Sequence, residues 1–333
     1  MKYLAALILV PALLGVGCDQ VAPHADLDTT ESTRTAFPSD ALNFMIIGDW
    51  GRQGDDNQLD VAVRMGLESA RDGSSFVIST GDNFYETGVD SIDDRLWMAS
   101  FEDVYTANSL QIPWYIVAGN HDFAGNVDAQ VAYSMQSERW TFPAPYYSIE
   151  REIEDGTSVL FVFLETEGLN SHLAQSGESG TPLVRQLNWL DQTLTNSDAE
   201  WKIVVGHRPL YSVGEAHVDN PTLIGNLKPI LDRHAVQAYF AGHSHSLQHQ
   251  QPEGATAYII SGAGSRIRAV NPNDMTCAAE SIPGFVAASL TSNLLTLQFV
   301  DMFGDVRYAV DIPRDTSAND PRRRSNGTLR CGA

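Results

Sequence analysis

Five short apolar runs, rich in Val, Ile, Phe, Tyr and Trp, recur along the chain, and each is followed by glycine and a polar residue. Runs of this length and composition, bounded by glycine, predict buried β-strands. Between them, apolar residues recur at helical spacing over 59–70, 183–194 and 223–234. Strands that alternate with helices favour an α/β fold with a largely parallel or mixed sheet. The five runs span 44–47, 76–80, 114–118, 203–205 and 238–241.

The residues after the five glycines are of the kinds that bind metals. In an open α/β sheet the functional groups lie on loops at the carboxyl ends of the strands, and a glycine there lets the backbone approach a ligand closely. Turn formation would explain any one of these ends, but it is a poor explanation for all five together. We therefore expect the five side chains to meet at one edge of the fold. They are Asp49, Asp82, Asn120, His207 and His243.

The number of candidate ligands indicates two metal ions. With His245, the set holds three histidines, two aspartates and one asparagine. Oxygen and imidazole ligands suit iron, zinc or manganese and disfavour a thiolate zinc site. The set is too large for one tetrahedral ion, whereas two ions that share a carboxylate would use it. Tyr85, three residues after Asp82, adds a phenol that Fe(III) could hold as phenolate, although a tyrosine packed against the sheet end is the alternative.

Composition and charge narrow the class of protein. The chain has 333 residues, of which 43% are hydrophobic, so a packed core is expected and general disorder is not. The formal net charge of −21 argues against nucleic acid and anionic membrane surfaces as partners, because both select basic faces. A small phosphorylated substrate stays compatible, since bound metal ions reverse the local field. We expect a monomer.

The amino-terminal end predicts export. Met1-Lys2 precedes an apolar stretch over 3–17 that is short for a membrane span and typical of a signal peptide. Cys18 follows, as at a bacterial lipoprotein processing site, so it is a candidate lipidation site; ordinary secretion with nearby cleavage is the alternative. We expect a periplasmic, lipid-anchored or secreted protein. The predicted segments are a signal over 1–17, a flexible tether over 18–41, one catalytic domain over 42–313 and a tail over 314–333.

The two remaining cysteines are Cys277 and Cys331. In the oxidising compartment that export implies, they can form one disulfide that ties the tail to the body. Two unpaired thiols are the alternative, because the sequence does not give the distance between them.

At its motifs the sequence resembles the purple acid phosphatases, and among them the short, tartrate-resistant type. In the wider metallophosphoesterases the first motif usually reads Asp-x-His, whereas here Gly51 stands in the histidine's place and Tyr85 supplies the missing ligand. The likeness is close over about 42–265. The motifs are Gly48-Asp49-Trp50-Gly51, Gly81-Asp82-Asn83-Phe84-Tyr85, Gly119-Asn120-His121-Asp122, Val205-Gly206-His207-Arg208-Pro209 and Gly242-His243-Ser244-His245.

The resemblance implies a four-layer α/β/β/α sandwich with two mixed sheets and a binuclear metal site. Asp82 would bridge Fe(III) and a second, divalent ion, which is Fe(II), Zn(II) or Mn(II). His121 and His217 would lie outside the metal coordination sphere, face the substrate and act as catalytic residues. The implied Fe(III) ligands are Asp49, Asp82, Tyr85 and His245, and those of the second ion are Asp82, Asn120, His207 and His243.

The implied activity is that of an acid phosphatase, in which a metal-bound hydroxide attacks the phosphorus of a monoester in line with the leaving group. A protonated His121 or His217 would assist the departing oxygen, which favours an acidic optimum. The motifs do not fix the leaving group, so a phosphodiesterase, nucleotidase or diphosphatase of the same fold stays open. A non-catalytic phosphate or metal binder is a further alternative, which the presence of both histidines disfavours.

Two neighbouring features have two interpretations each. Arg208 directly follows a predicted ligand and would either contact the substrate or, as we favour, pair with one of the many surface acids. The polar segment 168–181 resembles an exposed loop that overhangs the site in mammalian relatives and is cut by proteases to raise activity. A plain surface loop is the equal alternative.

Overall fold

The computed structural model describes residues 34–170 and 182–314. Within these residues, fourteen strands form two seven-stranded mixed sheets, accompanied by six α-helices. A π-helical turn covers Trp97–Glu102 and a 3₁₀ turn covers Asn108–Leu110. None of the helices in the described part of the chain is long and apolar enough to cross a bilayer.

The first sheet combines the amino-terminal strands with the last three. Its strands are β1 (Leu42–Ile47), β2 (Phe76–Ser79), β3 (Trp114–Ile116), β4 (Trp140–Thr141), β12 (Gly284–Leu290), β13 (Leu294–Asp301) and β14 (Val306–Pro313). Their order in the sheet is β14-β13-β12-β1-β2-β3-β4. The strands β1 to β4 run parallel, with Phe44 opposite Phe76, whereas β12 pairs antiparallel with β1. The carboxyl ends of β1, β2 and β3 therefore lie at one edge.

The second sheet comes from the middle of the chain. Its strands are β5 (Tyr147–Glu152), β6 (Ser158–Phe163), β7 (Trp201–Val205), β8 (Ala238–Ala241), β9 (Leu247–Gln250), β10 (Ala257–Ser261) and β11 (Thr276–Glu280). Their order is β11-β9-β10-β8-β7-β6-β5. The strands β6, β7, β8 and β10 are parallel to their neighbours in this group, with Val205 opposite Phe240. The carboxyl ends of β7 and β8 are thus adjacent.

The helices begin and end close to the positions that the apolar spacing predicts. The predicted stretches 59–70 and 183–194 lie within two of the three longest helices, and 223–234 extends one residue beyond the end of the third. The helices are α1 (Gln58–Asp72), α2 (Asn120–Phe123), α3 (Val127–Tyr133), α4 (Thr166–Leu169), α5 (Pro182–Asn196) and α6 (Pro221–Arg233). At the start of α6, Asn220 accepts a hydrogen bond from the Leu223 amide at 3.1 Å, and Pro221 occupies the first turn, both of which favour a helix start there.

Two apolar cores hold the layers together. Alternate residues of β6 point to opposite faces, so Phe161 enters the core between the sheets and Leu160 enters the core under α5 and α6. The ring centroids of Phe44 and Phe161 lie 5.6 Å apart across the two sheets. Each such buried phenylalanine contributes roughly 2 kcal/mol through removal of apolar area from water. The arrangement confirms the α/β sandwich with two mixed sheets.

Residues 34–41 are more ordered than the tether prediction implies. The Arg34 side chain is buried and forms ion pairs with Asp72 at 2.7 Å and Glu68 at 3.2 Å, both on α1. The Phe37 amide also donates to Asp72 at 3.1 Å. The segment therefore packs against the body from residue 34 onward, because a guanidinium meets two buried carboxylates there. The rest of the predicted tether and the signal lie outside the described residues.

Candidate metal centre

The five predicted ligands do meet at one edge, where the carboxyl ends of strands from both sheets face each other. Asp49 and Asp82 follow β1 and β2, and the Asp49 amide donates to the Gly81 carbonyl at 2.9 Å. On the second sheet, the Gly242 amide donates to the His207 carbonyl at 2.9 Å. Each of these bonds joins two neighbouring loops of the same sheet. The ligand side chains on these loops converge on the centre from both sheets.

Unusual backbone geometry marks three of these positions. Asp49, Asp82 and His243 have φ values of 60°, 52° and 66°, in the left-handed region that non-glycine residues seldom adopt. The neighbouring Gly119 allows a close approach, since a Cβ there would lie 2.2 Å from Asp82 Oδ1. The surrounding loops therefore hold the backbone of these three ligands in conformations that aspartate and histidine seldom adopt.

The first donor set lies around Tyr85. Its hydroxyl donates to Asp49 Oδ1 at 3.1 Å and Asp82 Oδ2 at 3.0 Å, and it lies 3.3 Å from His245 Nε2. His245 Nε2 is also 3.4 Å from Asp49 Oδ1. Four donor atoms thus converge on one small volume. This first donor set comprises Asp49, Asp82, Tyr85 and His245.

The second donor set lies around His207. Its Nε2 is 3.4 Å from Asp82 Oδ1, 3.2 Å from Asn120 Oδ1 and 3.2 Å from His243 Nδ1. Ligand atoms of Asp82, His207 and His243 all lie within 4.8 Å of one another, and the three residues are buried. Asp82 therefore presents Oδ2 to the first donor set and Oδ1 to the second. The second donor set comprises Asp82, Asn120, His207 and His243.

The electrostatics of the site fit two cations. Burial raises the pKa of Asp49, and the nearby Asp82 charge raises it further. Burial also raises the pKa of Tyr85, as do the charges of both aspartates. Two carboxylates and a phenol in a buried cluster need positive charge for all three to ionise, and the nitrogen and oxygen donors are those that iron, zinc and manganese accept. The residues present therefore fit a binuclear site.

In the second donor set, a proton on His207 supplies part of the positive charge that a metal ion would otherwise provide. Burial opposes the charged form of His207, but the Asp82 carboxylate outweighs it and raises the His207 pKa to about 10. The same interaction lowers the pKa of Asp82 against the effect of burial. Cation binding through Nε2 would displace the His207 proton, so proton and metal compete there.

Hydrogen bonds outside the two donor sets fix the ligand orientations. His207 Nδ1 lies 2.9 Å from the Thr80 carbonyl, which leaves Nε2 toward the site. Asp82 Oδ1 accepts from the His121 amide at 2.9 Å, and Asp49 Oδ2 accepts from the His243 amide at 2.8 Å. The ligands are thereby oriented by main-chain groups of neighbouring loops.

Asp122 organises the loop that carries Asn120, a role that the sequence analysis missed. Its carboxylate accepts from the Gly119 amide at 2.8 Å, the Asn83 amide at 3.1 Å and Gln130 Nε2 at 2.9 Å. Burial, and then the Asp82 charge, raise its pKa to about 6. The sequence shows a carboxylate one residue after His121. It does not show that this carboxylate will accept from Asn83 and Gln130, because these residues lie on other segments.

Arg52 was also missed, and it contacts the predicted phenolate ligand. Its guanidinium carbon lies 3.7 Å from the Tyr85 ring centroid, and Nη1 donates to Glu86 at 2.8 Å. A cation over the ring favours negative charge on the phenol. The glycine before it is equally constrained, since a Cβ on Gly51 would lie 1.8 Å from the Asn83 carbonyl oxygen. The Gly51 position therefore has no room for the histidine of the wider superfamily with this backbone.

The rings of the two predicted substrate-facing histidines lie beside different ligands of the centre. The His121 ring centroid is 4.5 Å from that of Tyr85, and its Nδ1 contacts the Glu86 carbonyl. The His217 ring centroid is 4.0 Å from that of His243. Burial, then the charge of Arg268, lower the pKa of His217. Both rings thus lie beside the donor sets, and their catalytic role stays a prediction.

Arg208 forms the ion pair that we favoured. Its Nε and Nη2 donate to the two Glu167 oxygens at 2.7 and 2.8 Å, and Nη1 lies 2.9 Å from His243 Nε2. A bidentate guanidinium–carboxylate pair is geometrically specific. It links the helix α4 to the second donor set. Substrate contact by Arg208 stays a prediction.

Three other predictions fall wholly or partly outside the described residues. Cys277 in β11 is disulfide-bonded, but Cys331 lies outside them, so the proposed pairing stays a prediction. Cys18 lies outside them as well. Of the segment 168–181, only 168–170 is described, at the end of α4.

Known proteins are similar to this chain in both sequence and fold. The calcineurin-like phosphoesterase family model matches residues 42–247. Tartrate-resistant acid phosphatase type 5 of Homo sapiens is 36% identical over 82% of this chain and 91% of its own length. Purple acid phosphatase 3 of Arabidopsis thaliana is 36% identical over 84% of this chain and 81% of its own length.

Two solved structures illustrate the likeness in fold. GAP50, described as the anchor in the inner membrane complex of Plasmodium, has a TM-score of 0.73 and 25% identity over 82% of this chain and 89% of its own. The purple acid phosphatase PPD1 from yellow lupin seeds has a TM-score of 0.62 and 17% identity over 84% of this chain and 55% of its own, which shows the fold alone. With the family match and the relatives above, the chain belongs to the calcineurin-like phosphoesterase family and, within it, to the purple acid phosphatases of the tartrate-resistant type.

Proposed function

We propose that this protein is an exported acid phosphatase that hydrolyses small phosphate monoesters at a binuclear metal centre. One observation carries the proposal: two sets of nitrogen and oxygen donors share the two carboxylate oxygens of Asp82. A shared carboxylate is the arrangement by which two ions clamp a phosphoryl group. The similarity to acid phosphatases over most of the chain supports the monoester as the substrate.

The donor types suggest which ions bind. The first donor set has two carboxylates and a phenol around one imidazole, which suits Fe(III); the second set has two imidazoles and an amide, which suits Fe(II), Zn(II) or Mn(II). When bound, such ions neutralise the phosphate oxygens and lower the pKa of water enough for attack on phosphorus near neutral pH. Asp82 would hold both ions at a fixed separation.

The residues around the donor sets have separate proposed tasks. His121 and His217 flank the centre, so each can donate a hydrogen bond to a phosphate oxygen or a proton to the departing oxygen. Burial and the Arg268 charge lower the pKa of His217. Its cationic form is therefore present only in acidic solution, which supports an acidic optimum.

A non-catalytic role is the second candidate, and the likeness to GAP50 favours it. That protein is described as an anchor, so the fold alone does not require catalysis. Here, however, both donor sets and the two flanking histidines are assembled in a geometry that a pure anchor would not need. A phosphodiesterase, nucleotidase or diphosphatase would use the same centre and differ in the substrate.

Export remains part of the proposal. The apolar stretch 3–17 and Cys18 support passage through a membrane and either lipid anchoring or secretion. Membrane fractionation of cells that express the full chain, with a Cys18→Ala variant beside it, tests the anchor. We expect the wild-type protein in the membrane fraction and the variant in the soluble fraction.

Phosphate release by the purified, metal-loaded chain tests the activity. We expect turnover of phenyl phosphate near pH 5, a much lower rate with a diester such as bis(4-nitrophenyl) phosphate, and loss of both in Asp82→Asn. A faster rate on the diester would establish the phosphodiesterase alternative. Absence of any phosphate release from a sample with both metals bound would establish the non-catalytic alternative.

A further inference from the structure

Arg268 lies on the loop between β10 and β11, next to the ligand His245. Its amide donates to the carbonyl of the ligand His245 at 2.8 Å. The next residue, Ala269, accepts from the Glu215 amide at 2.9 Å, and Val270 forms a bridge with Gly214. The loop is thus fastened to His245 on one side and to the His217 loop on the other.

The guanidinium of Arg268 differs from those of neighbouring arginines because it has no carboxylate partner among the described residues. Arg52 pairs with Glu86 and Arg208 with Glu167, so both positive charges are largely compensated. Arg268 is exposed, and its guanidinium makes no hydrogen bond or ion pair within residues 34–170 and 182–314. The positive charge of Arg268 is therefore not compensated by a described carboxylate, and its N–H donors can bind a ligand.

The charge of Arg268 reaches both sides of the centre. After burial, it is the strongest influence that lowers the pKa of His217, and likewise that of His245, which falls to about 3. The main-chain bonds of its loop agree with this, since they place Arg268 beside both a first-set ligand, His245, and the loop of a proposed catalytic histidine, His217.

We propose that Arg268 is a specificity-determining residue that binds negative charge on the leaving group, so that the enzyme favours phosphoanhydrides and anionic monoesters over esters of neutral alcohols. This inference rests on the proposed function. The free guanidinium offers five donors in a planar fork that matches a phosphate or carboxylate. In a chain with a net charge of −21, an anionic leaving group would otherwise be repelled.

For inorganic pyrophosphate the reaction is simple hydrolysis. The oxygen of water forms a bond to one phosphorus, and the bond from that phosphorus to the bridging oxygen breaks. The bridging oxygen leaves with the electron pair as part of the second phosphate, and it takes up one proton. Arg268 would hold the oxygens of this departing phosphate, while the centre holds the phosphorus under attack.

A matched pair of substrates isolates the effect of leaving-group charge. For each protein, kcat/KM is measured on phenyl phosphate, on 4-carboxyphenyl phosphate and on pyrophosphate, and the ratio of each anionic substrate to phenyl phosphate is compared. We expect Arg268→Gln to lower both ratios about fivefold to tenfold, with phenyl phosphate itself changed less than about twofold. Arg268→Lys keeps the positive charge but loses the planar set of guanidinium donors. Its ratios should therefore lie between those of Arg268→Gln and the wild-type protein.

Arg266→Gln provides the control, because Arg266 is an exposed arginine two residues away that pairs with Asp56 at 2.6 Å. It should leave the ratios unchanged. Equal loss on all substrates, no change, or the same shift in Arg266→Gln would overturn the inference. Metal content and the thermal midpoint of each variant show whether it is folded. If the wild-type chain fails on phenyl phosphate, the proposed function fails; if only the ratios stay constant, the role of Arg268 fails.

Discussion

The two donor sets of the metal centre differ in chemistry although they share Asp82. The first set, around Tyr85, is rich in anionic oxygen and contains one imidazole. The second set, around His207, contains two imidazoles and a neutral amide. Oxygen anions favour a trivalent ion, and imidazoles favour a divalent one. Both sets draw ligands from both sheets, so the difference teaches that the kind of ion is set by the side chains around each oxygen of the shared Asp82 and not by the sheet that carries them.

The shared carboxylate should matter most. Asp82→Asn removes the one charge that both sets use, so we expect loss of both metals and a fall in kcat/KM of at least about 10³-fold. Metal analysis and phosphate release measure the two effects. Asp301→Asn is the control, because Asp301 is an equally buried carboxylate outside the centre, which accepts from the Phe303 and Asp305 amides and lies 3.8 Å from Arg307 Nη1. If Asp82→Asn kept two metals, the two sets would not depend on a shared ligand.

The flanking histidines should separate catalysis from metal binding. His121→Ala leaves the donor sets intact, so we expect unchanged metal content and a fall in kcat of about 10²-fold, the usual contribution of a proton donor. His234→Ala, in which a histidine that pairs with Asp191 at 2.8 Å is lost, should keep full turnover. Full activity of His121→Ala would remove that histidine from the mechanism.

The phenol distinguishes the first set from the second. Tyr85→Phe keeps the ring but removes the donor, so affinity for the trivalent ion should fall about 10–100-fold, whereas the second set retains its divalent ion. Competition with a chelator measures both affinities. Tyr147→Phe, which removes a buried hydroxyl bonded to the Ile116 carbonyl, should change neither. Equal weakening of both ions would mean that the sets are not chemically distinct.

Proton competition should give the second set a steep pH dependence. In the metal-free protein the Asp82 charge raises the His207 pKa to about 10 in spite of burial, so His207 carries a proton at neutral pH. Binding through Nε2 must release it; affinity for Zn(II) should therefore rise about tenfold per pH unit between pH 6 and 8. Calorimetric titration in buffers of different ionisation enthalpy counts the protons. A pH-independent affinity would contradict the assignment of His207 as a ligand.

The ligands at the strand ends could be predicted from the sequence, because the residues next to them in the chain determine where each strand ends. An apolar run, a glycine and a polar residue fix where a strand ends and what it presents, as at Asp49 and His207. The apolar spacing likewise predicts α1, α5 and α6. These features depend on residues that are near in the chain.

The remaining features depend on segments that are distant in the chain. Arg52 stacks on Tyr85 and pairs with Glu86, more than thirty residues later. No local pattern indicates that Arg208 will meet Glu167, forty-one residues earlier, or that Arg268 will have no ion-pair partner within 34–170 and 182–314. The order of the sheets also needs three-dimensional information, since β12 returns to pair with β1. The resemblance to a family, not periodicity, predicted the two-sheet sandwich.

Metal analysis and the visible absorption spectrum of the purified, oxidised protein test the central claim most directly. We expect about two metal ions per chain, one of them iron, with a purple or pink band from the bond between the Tyr85 phenolate and Fe(III). A colourless protein with two zinc or manganese ions would keep the binuclear centre and remove the tyrosinate–iron assignment. Failure to bind any metal after reconstitution would contradict the account.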